Sequence, residues 1–277
     1  MATYNREAYI GAALENFRAF ITPEDELIIV DGGSTDRTLE ILEEHRDMIT
    51  TLVSERDLGE SHALNKGLLL ARCEIIKFLT DDDYFDPDAI RAAVDYMKQN
   101  PETDLLMCGG ETYTTGGRKV DSITFPEGVP FDTSFYFAYR YRIISGLGWI
   151  IRRSVLAKVG LFDLTARAVD IVFLSKLYSF GANIRCLNIN LYKHYHHEDS
   201  GMTRYERECN NDIIRSLREH GLRWQAMLRV VRYWRNIPGK ILFRALMKVD
   251  DLVWKLHRPS GAPRPGSESK QVGYVAK

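Results

Sequence analysis

Cysteine is scarce in this chain, and the cysteines it has are scattered. Of its 277 residues only four are cysteine, and no two of them form a CxxC pair: Cys73, Cys108, Cys186 and Cys209. This spacing fits neither a disulfide framework nor a zinc knuckle. The pattern predicts a reducing compartment, for which the cytoplasm is the default.

Long apolar runs are also lacking. No uninterrupted stretch reaches the roughly 18 apolar residues that a membrane-spanning helix needs. The N-terminus does not show the basic, then apolar, then small-residue succession of a secretory signal. We therefore expect the protein to be neither exported nor integral to a membrane.

Net charge is almost absent, at −1, but the charges are unevenly distributed. Residues 1–203 carry 21 Lys and Arg against 31 Asp and Glu, whereas residues 204–277 carry 16 against 7. An acidic body with a basic end predicts that the two parts meet different partners. The length and the 45% apolar content favour one catalytic domain with an appendage.

Apolar strands alternate with amphipathic helices over the first 111 residues. Strands are expected at 27–30, 75–79 and 105–108, and helices after Asn5, after Ser34-Thr35, through 63–71 and at Asp86-Pro87. This alternation predicts an α/β fold with a mostly parallel sheet flanked by helices. Ligands of such sheets bind beyond the carboxyl ends of the strands, so Asp31 and Asp81–Asp83 are expected in one crevice.

Three consecutive carboxylates follow the strand at 75–79, namely Asp81, Asp82 and Asp83. Like charges so close together repel one another, and a cation would relieve that repulsion. Hard oxygen ligands at a strand end suit Mg²⁺ or Mn²⁺, whose shell is completed by substrate phosphates and water. The alternative is a solvated turn in which Asp83 or Asp86 caps the next helix.

Five short motifs, taken in order, resemble the inverting family 2 glycosyltransferases, whose nucleotide-sugar-binding fold is called GT-A. They are Thr3-Tyr4-Asn5-Arg6, the segment 30–36 (VDGGSTD), the segment 54–59 (SERDLG), the segment 63–67 (ALNKG) and the segment 78–83 (FLTDDD). Weaker matches at 160–163, 168–170 and 192–203 extend the resemblance to about residue 205. In the family a strand precedes the first motif, so we expect a version extended by upstream codons to melt at a higher temperature.

The resemblance implies a role for each matching donor-side residue. Thr3, Tyr4 and Asp31 would line the nucleobase pocket. Asp81, on the ribose side, and Asp82 would bind the nucleotide sugar, and Asp83 would ligate the metal that bridges the diphosphate. Asn65 and Lys66 would approach the diphosphate. The alternatives are an ordinary strand-to-helix turn at Asp31 and a solvated lysine at Lys66.

Asp170 stands where the resemblance places the general base, at the head of a helix. It would take the proton of the acceptor hydroxyl as that oxygen attacks the anomeric carbon. The family usually has an acidic residue just before the base, and here that position holds Val169. The alternative is an aspartate favoured only by the helix dipole.

His197 lies in a segment where related enzymes have a loop that closes over the diphosphate, and it would supply one more metal ligand or a phosphate contact. His194 and His196 lie nearby, but no cysteine does, so zinc is disfavoured. The alternative is a polar loop without a ligand.

The chain divides into three predicted regions. Residues 1–205 form the glycosyltransferase catalytic domain, with a nucleotide-binding half at 1–111 and an acceptor-side half at 112–205 that contains an aromatic stretch at 131–141. Residues 206–258 form a basic amphipathic helical extension, and residues 259–277 form a disordered tail. The extension carries three tryptophans among basic and aliphatic residues, which predicts binding to an anionic membrane surface.

Packing of the extension on the catalytic domain is the alternative to membrane binding. Nucleic acid is disfavoured as a partner, because the catalytic half is acidic.

We therefore predict transfer of a sugar from a nucleoside diphosphate sugar to a hydroxyl of a saccharide or lipid-linked saccharide, in cell-surface polysaccharide synthesis. The reaction would be an inverting single displacement that depends on a divalent metal, in the cytoplasm at the inner face of the cell membrane. One alternative is a nucleotidyltransferase on a similar sheet. The other is a non-catalytic donor-binding subunit of a saccharide assembly complex.

Overall fold

The computed structural model describes residues 1–114, 116–125, 146–196 and 206–221. The predictions for the aromatic stretch at 131–141, for His197, for the extension beyond residue 221 and for the tail lie outside these residues. Within the described ranges no helix combines the length and the apolarity that crossing a bilayer requires.

Three parallel strands form the first sheet: β1 (Ala2–Thr3), β2 (Ile28–Asp31) and β3 (Thr51–Ser54), in the order β1-β2-β3. Three helices lie between or after these strands: α1 (Ile10–Arg18), α2 (Thr38–Glu44) and α3 (Glu60–Leu70). Thr3 is paired with Asp31, and Asp31 with Ser54. The carboxyl ends of the three strands therefore present a row of polar side chains.

Six strands form the second sheet: β4 (Ile75–Lys77), β5 (Tyr84–Phe85), β6 (Leu105–Thr114), β7 (Lys119–Ile123), β8 (Trp149–Arg152) and β9 (Ile184–His196). Their order is β4-β8-β6-β9-β5, and β7 pairs with the far part of β6. The remaining helices are α4 (Pro87–Gln99), α5 (Leu156–Val159), α6 (Val169–Ser179) and α7 (Glu206–Glu219).

The α/β class with sheets flanked by helices is confirmed, but strand pairing is more varied than the sequence suggested. In the second sheet β6 and β9 are parallel, whereas β8 runs antiparallel to both of its neighbours, β4 and β6. The reason is that β8 belongs to the acceptor-side half of the chain, beyond the first 111 residues, in which strands alternate with helices. Only that alternation, with its helical crossovers, predicted parallel strands. β7 and β5 add two more antiparallel pairs.

The central strands are buried on both faces, and so they link two apolar clusters. Along β6, Leu105 and Met107 belong to one cluster, and Leu106 and Cys108 belong to the other. The first cluster is completed by α6 and α7, and the second by α1 and α4. Continuous apolar runs are what a strand covered on both faces requires.

Helix α4 starts at its predicted site, whereas α1 and α2 start later than the residues Asn5 and Ser34-Thr35 predicted, at Ile10 and Thr38. Asp86 caps α4 by accepting from the backbone N–H groups of Asp88 and Ala89, as predicted. The prediction of a helix directly after Asn5, with Asn5 as its cap, is wrong, because α1 begins at Ile10 and Asn5 has a positive φ of 52°. The Asn5 side chain instead accepts from the backbone N–H of Thr35, which ties the two loops that follow β1 and β2.

Arg152 joins the second sheet to the end of α4. Its guanidinium donates to the backbone carbonyls of Thr103, Met97 and Asn100, and it pairs with Glu74. We expect Arg152→Met to lower the free energy of unfolding by about 3 kcal/mol, because buried carbonyls lose their donors. Urea denaturation measures this.

The neighbouring Arg153 is exposed and supplies the matched control for this prediction. Arg153→Met should change the free energy of unfolding by less than about 0.5 kcal/mol. Equal effects of the two substitutions would contradict a structural role specific to Arg152.

Candidate active site

The acidic loop Asp81–Asp83 lies just beyond the carboxyl end of β4. Arg6, from the loop after β1, lies against it: its Nε is 3.4 Å from Asp81 Oδ1, and its Nη2 is 3.6 Å from Asp82 Oδ2. The protein thus supplies a cation of its own where the sequence predicted carboxylate repulsion. The first motif contains Arg6, but sequence reasoning gave it no role. Its place three residues after Thr3 was the signal that put it at this edge.

The carboxyl group of Asp81 is buried at the centre of this charge cluster. Burial raises the pKa of Asp81 to about 6, Arg6 opposes this increase, and the neighbouring Asp82 adds to it. The charged form of Asp81 is therefore only moderately favoured near neutral pH. Hydrogen-bond donors or a cation arriving with a ligand would stabilise it.

Asp83 is held by one residue of the loop after β4 and by two residues of β9. Thr80 Oγ1 donates to one carboxylate oxygen at 2.7 Å. The other oxygen lies 2.8 Å from His194 Nδ1 and accepts from the backbone N–H of Tyr195 at 3.2 Å. Burial lowers the pKa of His194, but the hydrogen bond and charge of Asp83 outweigh burial, and the net change is an increase.

Among the histidines that the structure describes, it is therefore His194 that contacts the acidic loop. Sequence reasoning considered it but selected His197, which lies outside the described residues. The signal that favours His194 is its place in β9. There the pairing of Tyr84 with Lys193 brings the strand alongside the residue that follows Asp83.

Thr3 and Asp31 are neighbours in the first sheet, but the Asp31 carboxylate is fully buried. It accepts from the backbone N–H groups of Gly33 and Ser34 and from the hydroxyls of Ser34 and Ser54. These contacts shape the turn after β2. Tyr4 extends beyond the end of β1 and is 56% exposed.

Asp170 is the second residue of α6, which confirms its position at the head of a helix. One carboxylate oxygen accepts from the backbone N–H of Gly146 at 3.1 Å, and the other accepts from that of Ile171 at 2.8 Å. Burial raises the pKa of Asp170, and these two hydrogen bonds act in the opposite direction. A carboxyl group with a raised pKa suits general-base chemistry.

Glu60, the first residue of α3, links the two acidic regions electrostatically. Its side chain is exposed to solvent, but the protein around it limits its hydration and raises its pKa, and the charges of Asp170, Asp81 and Asp82 raise that pKa further. The charges of Asp170 and of the acidic loop therefore both act on the Glu60 carboxyl group. Sequence reasoning missed Glu60, which directly follows the segment 54–59.

Asn65 and Lys66 do not join this acidic cluster. The Asn65 side chain is buried, donates to the backbone carbonyl of Phe162 and accepts from the Phe162 N–H, both at 2.9 Å. Lys66 Nζ lies 2.8 Å from a carboxylate oxygen of Glu55. Both residues connect α3 to neighbouring segments.

The side chains of the acidic loop can be compared with the ligands that a divalent metal needs. In the described part of the chain no group of three or more His, Cys, Asp or Glu side chains is arranged to hold a metal ion. A divalent cation that takes one or two carboxylates and completes its shell with phosphates and water does not need such a group. The side chains of the acidic loop are carboxylates, the ligand type that Mg²⁺ and Mn²⁺ prefer.

Several solved glycosyltransferase structures share this architecture. TarS residues 1–349 from Staphylococcus aureus, in complex with UDP-GlcNAc, superimpose with a TM-score of 0.65 at 24% identity, over 80% of this chain and 64% of that one. The mannosyltransferase PcManGT from Pyrobaculum calidifontis, in complex with GDP-Man and Mn²⁺, has a TM-score of 0.58 at 19% identity, over 92% and 79%. The fold is therefore the GT-A fold.

Residues 1–160 match the family model described as glycosyl transferase family 2, and the chain belongs to that family. EpsH of Bacillus subtilis is 34% identical over 129 residues, which are 44% of this chain and 36% of EpsH. Poly-β-1,6-N-acetyl-D-glucosamine synthase of Staphylococcus epidermidis is 26% identical over 190 residues, which are 67% and 46% of the two chains. The chain spans less than half the length of these relatives.

Proposed function

We propose that this chain transfers a sugar from a nucleoside diphosphate sugar to a hydroxyl of a saccharide or lipid-linked saccharide during synthesis of a cell-surface polysaccharide. The observations that carry the proposal are the acidic loop paired with Arg6 beyond the end of β4 and the buried carboxyl group of Asp170 at the head of α6. Glu60 responds electrostatically to both. Family membership and the names of the relatives, which include a polysaccharide synthase, support the same reading.

The donor is proposed to bind at the ends of β1, β2 and β4. Thr3, Tyr4 and Asp31 border the nucleobase side, and Asp81 and Asp82 face the sugar and ribose. Arg6 neutralises part of the charge of these two carboxylates. Its guanidinium also has N–H groups that would orient the diphosphate by hydrogen bonds. Asp83, held by Thr80 and His194, would hold the metal, with His197 as a further proposed ligand.

A divalent cation bound at the acidic loop would supply positive charge against the charge that develops on the departing diphosphate. Asp170 accepts the proton of the acceptor hydroxyl as that oxygen attacks the anomeric carbon from the face opposite the leaving group. The Gly146 and Ile171 N–H groups hold the Asp170 carboxylate in place for this step. A single displacement of this kind inverts the anomeric centre.

The test is release of nucleoside diphosphate from a panel of donors, with Mg²⁺ or Mn²⁺ and with an acceptor. Turnover of a donor, dependent on acceptor, supports the proposal. A nucleotidyltransferase would instead consume a nucleoside triphosphate and release pyrophosphate. A non-catalytic donor-binding subunit would bind the donor, seen by calorimetry, without turnover.

We also propose that the basic extension attaches the protein to the inner face of the cell membrane. Residues 222–258 carry nine Lys and Arg against two Asp, and each basic residue near an anionic surface contributes about 1 kcal/mol. The full chain should sediment with anionic vesicles and not with neutral ones at low salt. A version ending at residue 221, just after α7, should stay in the supernatant and keep donor binding. Equal sedimentation of the full chain and of the shortened version would contradict a role of the extension in membrane binding.

A further inference from the structure

Lys77, the last residue of β4, carries its amine into the protein. Its Nζ donates to the backbone carbonyl of Phe78 at 2.5 Å and to that of Leu147 at 2.7 Å, and it lies 4.5 Å from the centre of the Phe85 ring. An amine removed from water is unfavourable unless it finds such partners. Nothing in the proposed donor or acceptor chemistry uses this side chain.

Two of these contacts lie at the two ends of the acidic loop Asp81–Asp83. Phe78 leads from β4 into the loop, and Phe85 in β5 follows it. Phe85 is fully buried, and its backbone N–H donates to the Asn16 side chain. The position of Phe85 is therefore well fixed by its surroundings. The Lys77 amine thus bridges the entry and the exit of the loop.

The third contact reaches the turn that holds Asp170. Leu147 lies in the short 3-10 turn Gly146–Gly148, and the adjacent Gly146 donates its N–H to Asp170. This turn is closely packed: a Cβ on Gly148 would lie 2.2 Å from the Cys108 carbonyl oxygen, and one on Gly146 would lie 3.5 Å from Asp170 Cβ. A shift of the Leu147 carbonyl would therefore move the Gly146 N–H relative to Asp170.

We propose that Lys77 is a positioning residue that ties the acidic loop to the turn holding Asp170, and thereby fixes the donor side of the crevice relative to the general base. This inference rests on the proposed function, in which the acidic loop binds the donor and Asp170 is the general base, so that their relative position matters. Lys77 does not touch the reacting atoms. It acts through two backbone carbonyls.

The chemistry of the amine suits a contact that must persist at working pH. Burial lowers the pKa of Lys77 to about 7, and the nearby Cys108 and Asp83 act in the opposite direction. The neutral amine carries two N–H groups and the ammonium three, so both carbonyls keep a donor in either state.

Replacing Lys77 by methionine keeps most of the side-chain length and removes every donor. We expect Lys77→Met to lower kcat at least about tenfold while the donor Kd, measured by calorimetry, changes less than about twofold, because the donor-binding residues stay in place. Lys98→Met on the exposed side of α4 is the matched control and should leave both values unchanged.

The pH profile gives a readout that a general loss of stability would not move. The Gly146 N–H lowers the pKa of Asp170, so loosening the turn should raise that pKa and shift the acidic limb of the kcat/KM profile to higher pH. Among the residues that the structure describes, Glu60 from α3 and Cys209 from α7 are titratable groups that also interact with Asp170. Both are unchanged in the variant.

Lys77→Gln, which keeps two N–H donors on a shorter chain, should retain more of kcat than Lys77→Met, and it serves as the test if the methionine variant does not fold. A folded Lys77→Met with wild-type kcat and pH profile would overturn the proposal. So would parallel losses of kcat and donor affinity. Absence of turnover in the wild-type protein would instead reject the proposed function, which keeps the two failures distinguishable.

Discussion

Asp170→Asn is expected to lower kcat by about 10²-fold or more and to leave donor affinity near the wild-type value. The amide has nearly the shape of the carboxyl group and can still accept from Gly146, but it cannot take up the acceptor proton, and a positioned base contributes about 10² to 10⁴ in rate. Steady-state kinetics gives kcat, and calorimetry gives donor affinity.

Asp95→Asn, which removes an exposed carboxylate on α4, is the control for this comparison and should behave as wild type. The wild-type activity should also fall as the pH drops through the raised pKa of Asp170, because the protonated group is no longer a base. Wild-type turnover in Asp170→Asn with its true acceptor would make Asp170 a structural residue at the head of α6.

Asp83→Asn is expected to abolish measurable turnover and to remove the effect of Mg²⁺ or Mn²⁺ on donor binding. The asparagine oxygen can still accept from His194 and Tyr195, so the loop keeps most of its contacts while the charge that attracts the metal is lost. The measurement is calorimetric titration of the donor with and without chelator.

Asp86→Asn is the matched control for Asp83→Asn. It lies three residues further along and caps α4, and asparagine caps a helix as well as aspartate does. Donor affinity that is insensitive both to chelator and to Asp83→Asn would reject the metal role of this carboxylate. Asp83 would then be a structural residue that joins the loop after β4 to β9.

The α/β class and most elements of the nucleotide-binding half could be predicted because their signals are local. The apolar run before Asp31 and the Asp86-Pro87 pair each specify a boundary through backbone chemistry that needs no distant partner. The structure confirms β2 and the start of α4 in this way. The position of Asp170 at the start of α6 was visible for the same reason.

The contacts that hold the site together could not be predicted, because they join residues far apart in the sequence. His194 reaches Asp83 across 111 residues, and Lys77 reaches Leu147 across 70. Such contacts depend on strand order, and the antiparallel entry of β8 has no signature in the first 111 residues. Asn65 illustrates the converse, since a polar residue in a recognised motif forms a folding contact with Phe162.

The anomeric configuration of the product tests the central claim most directly. The protein is incubated with the donor it turns over, an acceptor and Mn²⁺, and the product is examined by proton NMR before any mutarotation of free sugar interferes. Single displacement assisted by Asp170 predicts a new glycosidic bond of configuration opposite to that of the donor. A product that retains the donor configuration, or a nucleotidyl product in place of a glycoside, would contradict the account.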